Sequence, residues 1–399
     1  MITGNAVIGQ SGGPTSVINS SLAGVVEASI RSSQIIDIYG IQYGIEGLME
    51  ELLINLGAQT EHILRGLRRT PSSALGSSRH KLKEADFPEV LEVLRKNNIR
   101  YFFLIGGNDT MDTINRIEQY CREKNYDLIG VGIPKTVDND LFGTDHTPGF
   151  SSAARSNILN VMQAGVLARD MKRVDRYVIY QTIGRDSGWL AAATALAGKK
   201  EEEAPHLIYM PERIFDMDNF LADVERCIER YGWVSIVCGE GIKFSGGRPV
   251  SAALTEDKFG NVEFGAMGGA SVAMNLHKMI GDKLNLRGEF QITESLIMCA
   301  MDRAEAQDLE EAYQCGLNAV QMAEAGESGF MVSIERVANS PYRVKYGKAA
   351  LNEVAIRARP MPDEYINQHG NFVSDSFYEY LCPLISELPD FVELEKKFA

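Results

Sequence analysis

Several function classes are excluded by what the sequence does not contain. The six cysteines, Cys121, Cys227, Cys238, Cys299, Cys315 and Cys382, form no Cys-x-x-Cys pair, which fits reduced core thiols better than a disulfide frame or a zinc site. Six dispersed histidines include no His-Glu-x-x-His and no pair at helical spacing, so no protein-built transition-metal centre is expected. No run of eighteen apolar residues occurs, and Met1-Ile2-Thr3-Gly4-Asn5 has neither the basic region nor the apolar core of a signal peptide. A cytoplasmic protein without a membrane partner is therefore expected. Positive charge is also short: 40 Lys plus Arg against 54 Asp plus Glu leave a formal charge of -14. That is the wrong sign for gripping nucleic acid, and an anionic substrate would need its own local cations and backbone N–H groups. A Walker loop, a Gly-x-Gly-x-x-Gly fingerprint, a short-period repeat and a low-complexity linker are all missing.

What remains is an ordinary globular composition, 399 residues with 45% hydrophobic and 24% charged, enough for two or three domains. Short apolar runs ending in glycine alternate with longer segments of helical period, the pattern of a parallel sheet covered by helices. Ala6-Val7-Ile8-Gly9-Gln10 leads through Ser11-Gly12-Gly13-Pro14-Thr15 into a predicted helix to about Arg31. Tyr101 to Ile105 leads through Gly106-Gly107-Asn108-Asp109-Thr110 into another, and Leu128 to Ile133 ends in Pro134-Lys135-Thr136-Val137-Asp138-Asn139-Asp140. A second series begins at Tyr177-Val178-Ile179-Tyr180, His206-Leu207-Ile208-Tyr209 and Val234-Ser235-Ile236-Val237, with a helical stretch from about Ser151 to Met171 as the crossing. Two doubly wound α/β units with a ligand cleft between them are predicted, since such sheets bind at the C-terminal ends of their strands.

Each glycine turn offers backbone N–H groups and a helix N-terminus to phosphate oxygens, but a lone Gly-Gly turn is usually only a turn. Residues 134 to 140 carry more: a lysine, a hydroxyl and two carboxylates directly after a buried strand. A carboxylate beside a cation can take a proton from an attacking hydroxyl while the ammonium neutralises phosphate. A Pro-started loop with Asx turns is an equally good reading of that stretch alone.

In order along the chain, the segments GQSGGPTSVIN (9–19), LGSSR (75–79), GGNDT (106–110), PKTVDND (134–140), TDHTPGF (144–150), IGRDSGW (183–189) and GEG (239–241) resemble the phosphofructokinase family. The resemblance implies that Asp138 is the catalytic base, that Thr136 touches the transferred phosphoryl group, and that Asp140 helps hold magnesium. It gives Arg79 and Arg185 the negative charge of the phosphates, and Gly12, Gly13, Gly107 and Asn108 the donor. Ile183, Gly184 and Glu240 fall to the sugar phosphate with Thr136, Asp138, Asp140 and Arg185. Arg176 matches an arginine reaching the neighbouring subunit's site, so a homodimer or homotetramer with shared sites is implied.

ATP-dependent members carry glycine where this chain has Asp109 and Lys135, and pyrophosphate-dependent members resemble this chain at both. An aspartate there repels a nucleotide's α-phosphate, and the lysine supplies charge for pyrophosphate. Asn108 stands where many members have a magnesium-contacting aspartate, which leaves Asp109 and Asp140 as the metal's carboxylates. Members also carry a Gln-Arg pair on a late strand for the acceptor's 6-phosphate. No such pair occurs here, and the equivalent stretch, Glu294 to Cys299, puts Met298 at the arginine's place. Losing a charge-assisted contact costs about 1.5 to 3 kcal/mol, roughly tenfold or more in affinity.

The expected reaction is reversible phosphoryl transfer from pyrophosphate to fructose 6-phosphate with magnesium. Alternatives are ATP as donor, another acceptor such as sedoheptulose 7-phosphate, an unphosphorylated sugar or a polyol, a non-catalytic regulatory relative, and, on the early Gly-Gly turn alone, dinucleotide-linked oxidoreduction. The expected division is a donor domain, 1–145 plus 305–337, and a sugar-phosphate domain, 146–304 plus 338–399, ending in an irregular arm.

Overall fold

The structure, a computed structural model, describes residues 2–78, 80, 82–251, 271–392 and 394–395. Strands β1 (Gly4–Gln10), β2 (Ile35–Ile41), β3 (Leu53–Asn55), β4 (Ile99–Gly106) and β5 (Ile129–Pro134) come first. The helix Phe150–Met171 then crosses to β6 (Tyr177–Thr182), β7 (Leu207–Tyr209), β8 (Ile214–Phe215), β9 (Val234–Gly239), β10 (Lys243–Phe244) and β11 (Gly288–Ile292). The chain returns through the helix Ala306–Glu324 to β12 (Phe330–Asn339) and β13 (Tyr342–Ala350).

Among the described residues, one seven-stranded sheet has the order β13-β12-β5-β4-β1-β2-β3 and one four-stranded sheet the order β11-β6-β9-β7. The α/β fold is thus the expected one, with β8 and β10 as a small separate ribbon. Strands β2, β1, β4, β5 and β12 run parallel, and so do all four strands of the second sheet. Helices cover both faces of a parallel sheet, which is why its strands read as unbroken apolar runs. Val7, Phe102 and Leu104 pack on one side of the first sheet, and Ala6, Ile8, Phe103 and Ile105 on the other. Each fully buried Phe or Ile contributes roughly 1.5–3 kcal/mol, so these strand centres fix the register of the ends that carry the site.

The expected boundary at 337 does not follow the sheets. Residues 342–350 pair antiparallel with β12 in the first sheet, where Tyr342, Val344 and Tyr346 face inward and Arg343 and Lys345 face solvent. That period-2 alternation marks an edge strand, so the return to the first sheet runs on to Ala350. Glu294–Cys299 is likewise a 3-10 turn and not a strand; the late strand is β11, whose glutamine Gln291 is followed by Ile292. Among the described residues no helix is long and apolar enough to cross a membrane.

Candidate active site

In the first sheet β1 has β2 on one side and β4 on the other, a reversal of winding that opens a crevice at the strand ends. The turn after β1 passes through Gly12 at φ +75, and a Cβ there would meet the Lys135 Nζ at 3.2 Å. Glycine is therefore required for backbone conformation and for space. Lys135 Nζ donates to Gly13 O at 2.8 Å, and Ser77 Oγ donates to Gly12 O. Beside it, β4 ends at Gly106, Gly107 caps the helix Asn108–Glu123, and Asn108 and Asp109 occupy its first turn. The free N–H groups and dipole of that end favour an anion.

The loop after β5 is folded on its own side chains. Thr136 Oγ1 accepts from Asp138 N at 3.2 Å and its hydroxyl bonds the Asp140 carboxylate. Asn139 adopts φ +56, a conformation asparagine tolerates, and is pinned by Tyr380 Oη at 2.9 Å and Thr147 N at 3.0 Å. From the second sheet, Ser187 Oγ donates to Asp138 O at 2.9 Å. The half-buried Asp138 carboxyl is pushed up to about 7 by burial first, then by the carboxylates of Asp140 and Glu240, against the opposing charges of Lys135 and Arg185. Burial also raises Asp140, while Arg359, Thr136 and Lys135 oppose.

Opposite lie the ends of β6 and β9. Gly184 N donates to Glu240 Oε1 at 3.2 Å, and Glu240 N donates to Thr182 O at 3.0 Å. A Cβ on Gly241 would fall 1.6 Å from Arg185 O, so only glycine lets the β9 turn seat against the Arg185 backbone. Burial pushes the Glu240 carboxyl up to about 7, with Glu294 adding repulsion and the Gly184 N–H and Arg185 opposing. Two facing strand-end clusters, one with a lysine and a helix N-terminus and one with an arginine, enclose a carboxylate poised to accept a proton. Such a constellation suits transfer of an anionic group to a hydroxyl.

The family profile described as Phosphofructokinase matches residues 5–323. The chain belongs to the phosphofructokinase family. The pyrophosphate-fructose 6-phosphate 1-phosphotransferase of Xanthomonas campestris pv. campestris (strain B100) is 37% identical, over 96% of this chain and 92% of its own. The sulfofructose kinase of Alkalicoccus urumqiensis is 32% identical over 90% and 91%. The solved pyrophosphate-dependent phosphofructokinase from Nitrosospira multiformis superposes with a TM-score of 0.88 at 35% identity, covering 99% of this chain and 94% of that one.

Of the residues that resemblance to the phosphofructokinase family singled out, the fold brings together Gly12, Gly13, Lys135, Thr136, Asp138, Asp140, Gly184, Arg185 and Glu240, through the contacts above. Gly107, Asn108 and Asp109 stand on the adjoining strand end, with Asp109 exposed. Ile183 packs half-buried against the core that includes Val137. Arg176 is not in the cluster: it precedes β6 and its Nε donates to Gly232 O, about 20 Å from Thr182 at the other end of β6 at a strand's rise per residue. Arg79 lies outside the described residues. Met298 rests in its 3-10 turn against the glycine turn, its carbonyl accepting from Ser16 N at 2.7 Å. Ser187, Asn139, Tyr380 and Arg359 were missed; Asn139 and Ser187 stood inside quoted motifs, and Tyr380 and Arg359 in none.

Among the described residues no three His, Cys, Asp or Glu side chains are grouped to hold a metal ion by themselves. Asp140 offers the loop after β5 a carboxylate, a hard oxygen donor of the kind a divalent cation takes together with substrate phosphate oxygens and water.

Proposed function

We propose that this chain transfers a phosphoryl group from pyrophosphate to the 1-hydroxyl of fructose 6-phosphate, giving fructose 1,6-bisphosphate and phosphate. The observation that carries it is the Asp138 carboxyl, set between Lys135 on the first sheet's side and Arg185 and Glu240 on the second's. In this reading Asp138 takes the hydroxyl proton as the oxygen bonds to phosphorus and the bridging bond of pyrophosphate breaks, releasing phosphate. Lys135, the N–H groups of Gly12 and Gly13, and the helix end at Gly107, Asn108 and Asp109 hold the donor. Thr136 contacts the group in flight, and Arg79 and Arg185 steady its charge. Ile183, Gly184 and Glu240 orient the sugar. Magnesium, held by Asp109 and Asp140, would supply further neutralisation of phosphate charge.

The donor side is the first sheet and the acceptor side the second, with Arg176 serving a neighbouring subunit in a homodimer or homotetramer of the cytoplasm. Asp109 and Lys135 favour pyrophosphate over ATP, and pyrophosphate makes the reaction readily reversible. A second reading keeps the chemistry and changes the acceptor. It is favoured by Ile292 following Gln291 on β11, an apolar side chain beside the glutamine where family members carry arginine, and by similarity to a sulfofructose kinase.

The test is a coupled assay with magnesium, pyrophosphate or ATP, and a panel of sugars, sugar phosphates and a 6-sulfonate analogue. Turnover with pyrophosphate and fructose 6-phosphate supports the first reading; activity confined to another acceptor moves the assignment to the second.

A further inference from the structure

Residues 357–359 belong to the arm that follows β13, yet they touch two loops of the site. Arg359 N donates to Asp140 O at 2.7 Å, and Ala358 bridges Leu141 in antiparallel fashion. Asn108 Nδ2 donates to Arg357 O at 3.0 Å. This three-residue strap therefore spans from the first turn of the Asn108 helix to the loop that carries Asp138.

The Arg359 guanidinium does most of the binding. Its Nε and Nη2 donate to Asn139 O at 3.2 and 3.0 Å, and its Nη1 donates to Thr144 O at 2.9 Å and to Asp145 O. The planar fork lies 4.5 Å from the Trp189 ring centroid, and Trp189 Nε1 donates to Arg359 O at 3.3 Å. Tyr380 supplements it by donating to Asp145 O at 3.0 Å while holding the Asn139 amide. The arm is in turn anchored on the second sheet's side. Tyr365, Phe377 and Tyr380 pack around Trp189, and Glu212 Oε1 accepts from both Gly188 N and Met361 N.

We infer that Arg359 is a positioning residue for phosphoryl transfer: it ties the carbonyls of 139, 144 and 145 into one fork and so fixes Asp138 and Asp140 relative to Asn108. It acts through the loop, since the partners of its guanidinium are the carbonyls of 139, 144 and 145, the Tyr380 hydroxyl and the Trp189 ring. An ammonium could not reproduce a planar, multi-carbonyl clamp, and a misplacement of about 1 Å costs roughly 10²-fold in rate. The inference rests on the proposed role of Asp138.

Arg359→Ala in the full chain should lower kcat about 30- to 100-fold with pyrophosphate and fructose 6-phosphate, leaving both KM values within about threefold. Arg359→Lys should be intermediate, and added guanidinium should restore part of the alanine variant's kcat. Hydrogen exchange of amides 138–146 should quicken tenfold or more, with the rest of the chain unchanged. Arg213→Ala, which removes an exposed arm contact to Asp363, should change none of these. Wild-type exchange at 138–146 together with kcat within twofold overturns the inference. If Arg359→Ala loses protection everywhere, Tyr380→Phe is read instead, with the same local exchange and kcat criteria. A wild type inactive on the substrate pair sinks the functional reading, and exchange at 138–146 then decides the clamp separately.

Discussion

The Lys135 ammonium sits 2.8 Å from the Gly13 carbonyl oxygen, so one cation joins the turn after β1 to the loop after β5. In the same place a Cβ on Gly12 would crowd it. A phosphate seated on the glycine turn would find both backbone N–H groups and this charge.

Lys135→Met should therefore lower kcat/KM for pyrophosphate by about ten- to a hundredfold, the range of a lost charge-assisted contact. Asp109→Gly, alone or with Lys135→Gly, should admit some ATP. Steady-state kinetics with both donors check this, and an ATP-to-pyrophosphate ratio that does not move would remove Asp109 from donor choice.

Glu240 accepts from Gly184 N and faces the acceptor in the proposed reading. Glu240→Gln keeps the shape and removes the charge, and should raise KM for the sugar phosphate several-fold while leaving KM for pyrophosphate alone. A change confined to the donor would place Glu240 elsewhere in the mechanism.

Arg176 stands at the far end of β6 and in the proposed reading serves a neighbour's site. Arg176→Ala and Asp138→Asn proteins, each weakly active, should regain activity when dissociated and reassembled together, because a mixed oligomer contains a site with neither lesion. No recovery in assembled hybrids would mean that sites are not shared through Arg176.

His146 is fully buried, with Asp145 Oδ2 at 2.8 Å and Glu311 Oε2 at 2.6 Å. Arg336 bonds the same Asp145 oxygen and Tyr342 Oη donates to Glu311. The two carboxylates outweigh burial and raise the imidazole to about 9. Since its folded value lies above the unfolded one near 6.5, its stabilisation is complete below about pH 6.5 and is lost as pH rises through 9, about 3 kcal/mol in all. The gap in apparent Tm between wild type and His146→Gln should shrink from pH 6.5 to 9.5. A constant gap would show that His146 is not charged in the fold.

Much of this was legible in the chain. Central strands such as 101–105 and 234–237 are apolar on both faces and end in glycine, so sequence located them and the loops beyond. β11 was misplaced because Gly288-Glu289-Phe290-Gln291-Ile292 mixes polar and apolar residues at a sheet edge, and β13 was missed because only alternation marks it. Arg359 left no local signal: its partners lie more than 200 residues earlier, and an arginine between Ala358 and Pro360 reads as surface. The loop's chemistry is written in residues 134–140, but what holds the loop is written in the arm.

The central claim is that Asp138 is the general base. The direct measurement is single-turnover phosphoryl transfer by Asp138→Asn beside wild type, with pyrophosphate and fructose 6-phosphate binding followed separately. Turnover should fall by about 10²- to 10⁴-fold while binding of both substrates persists. Turnover within a few-fold of wild type would contradict the account and take the proton-accepting role away from Asp138.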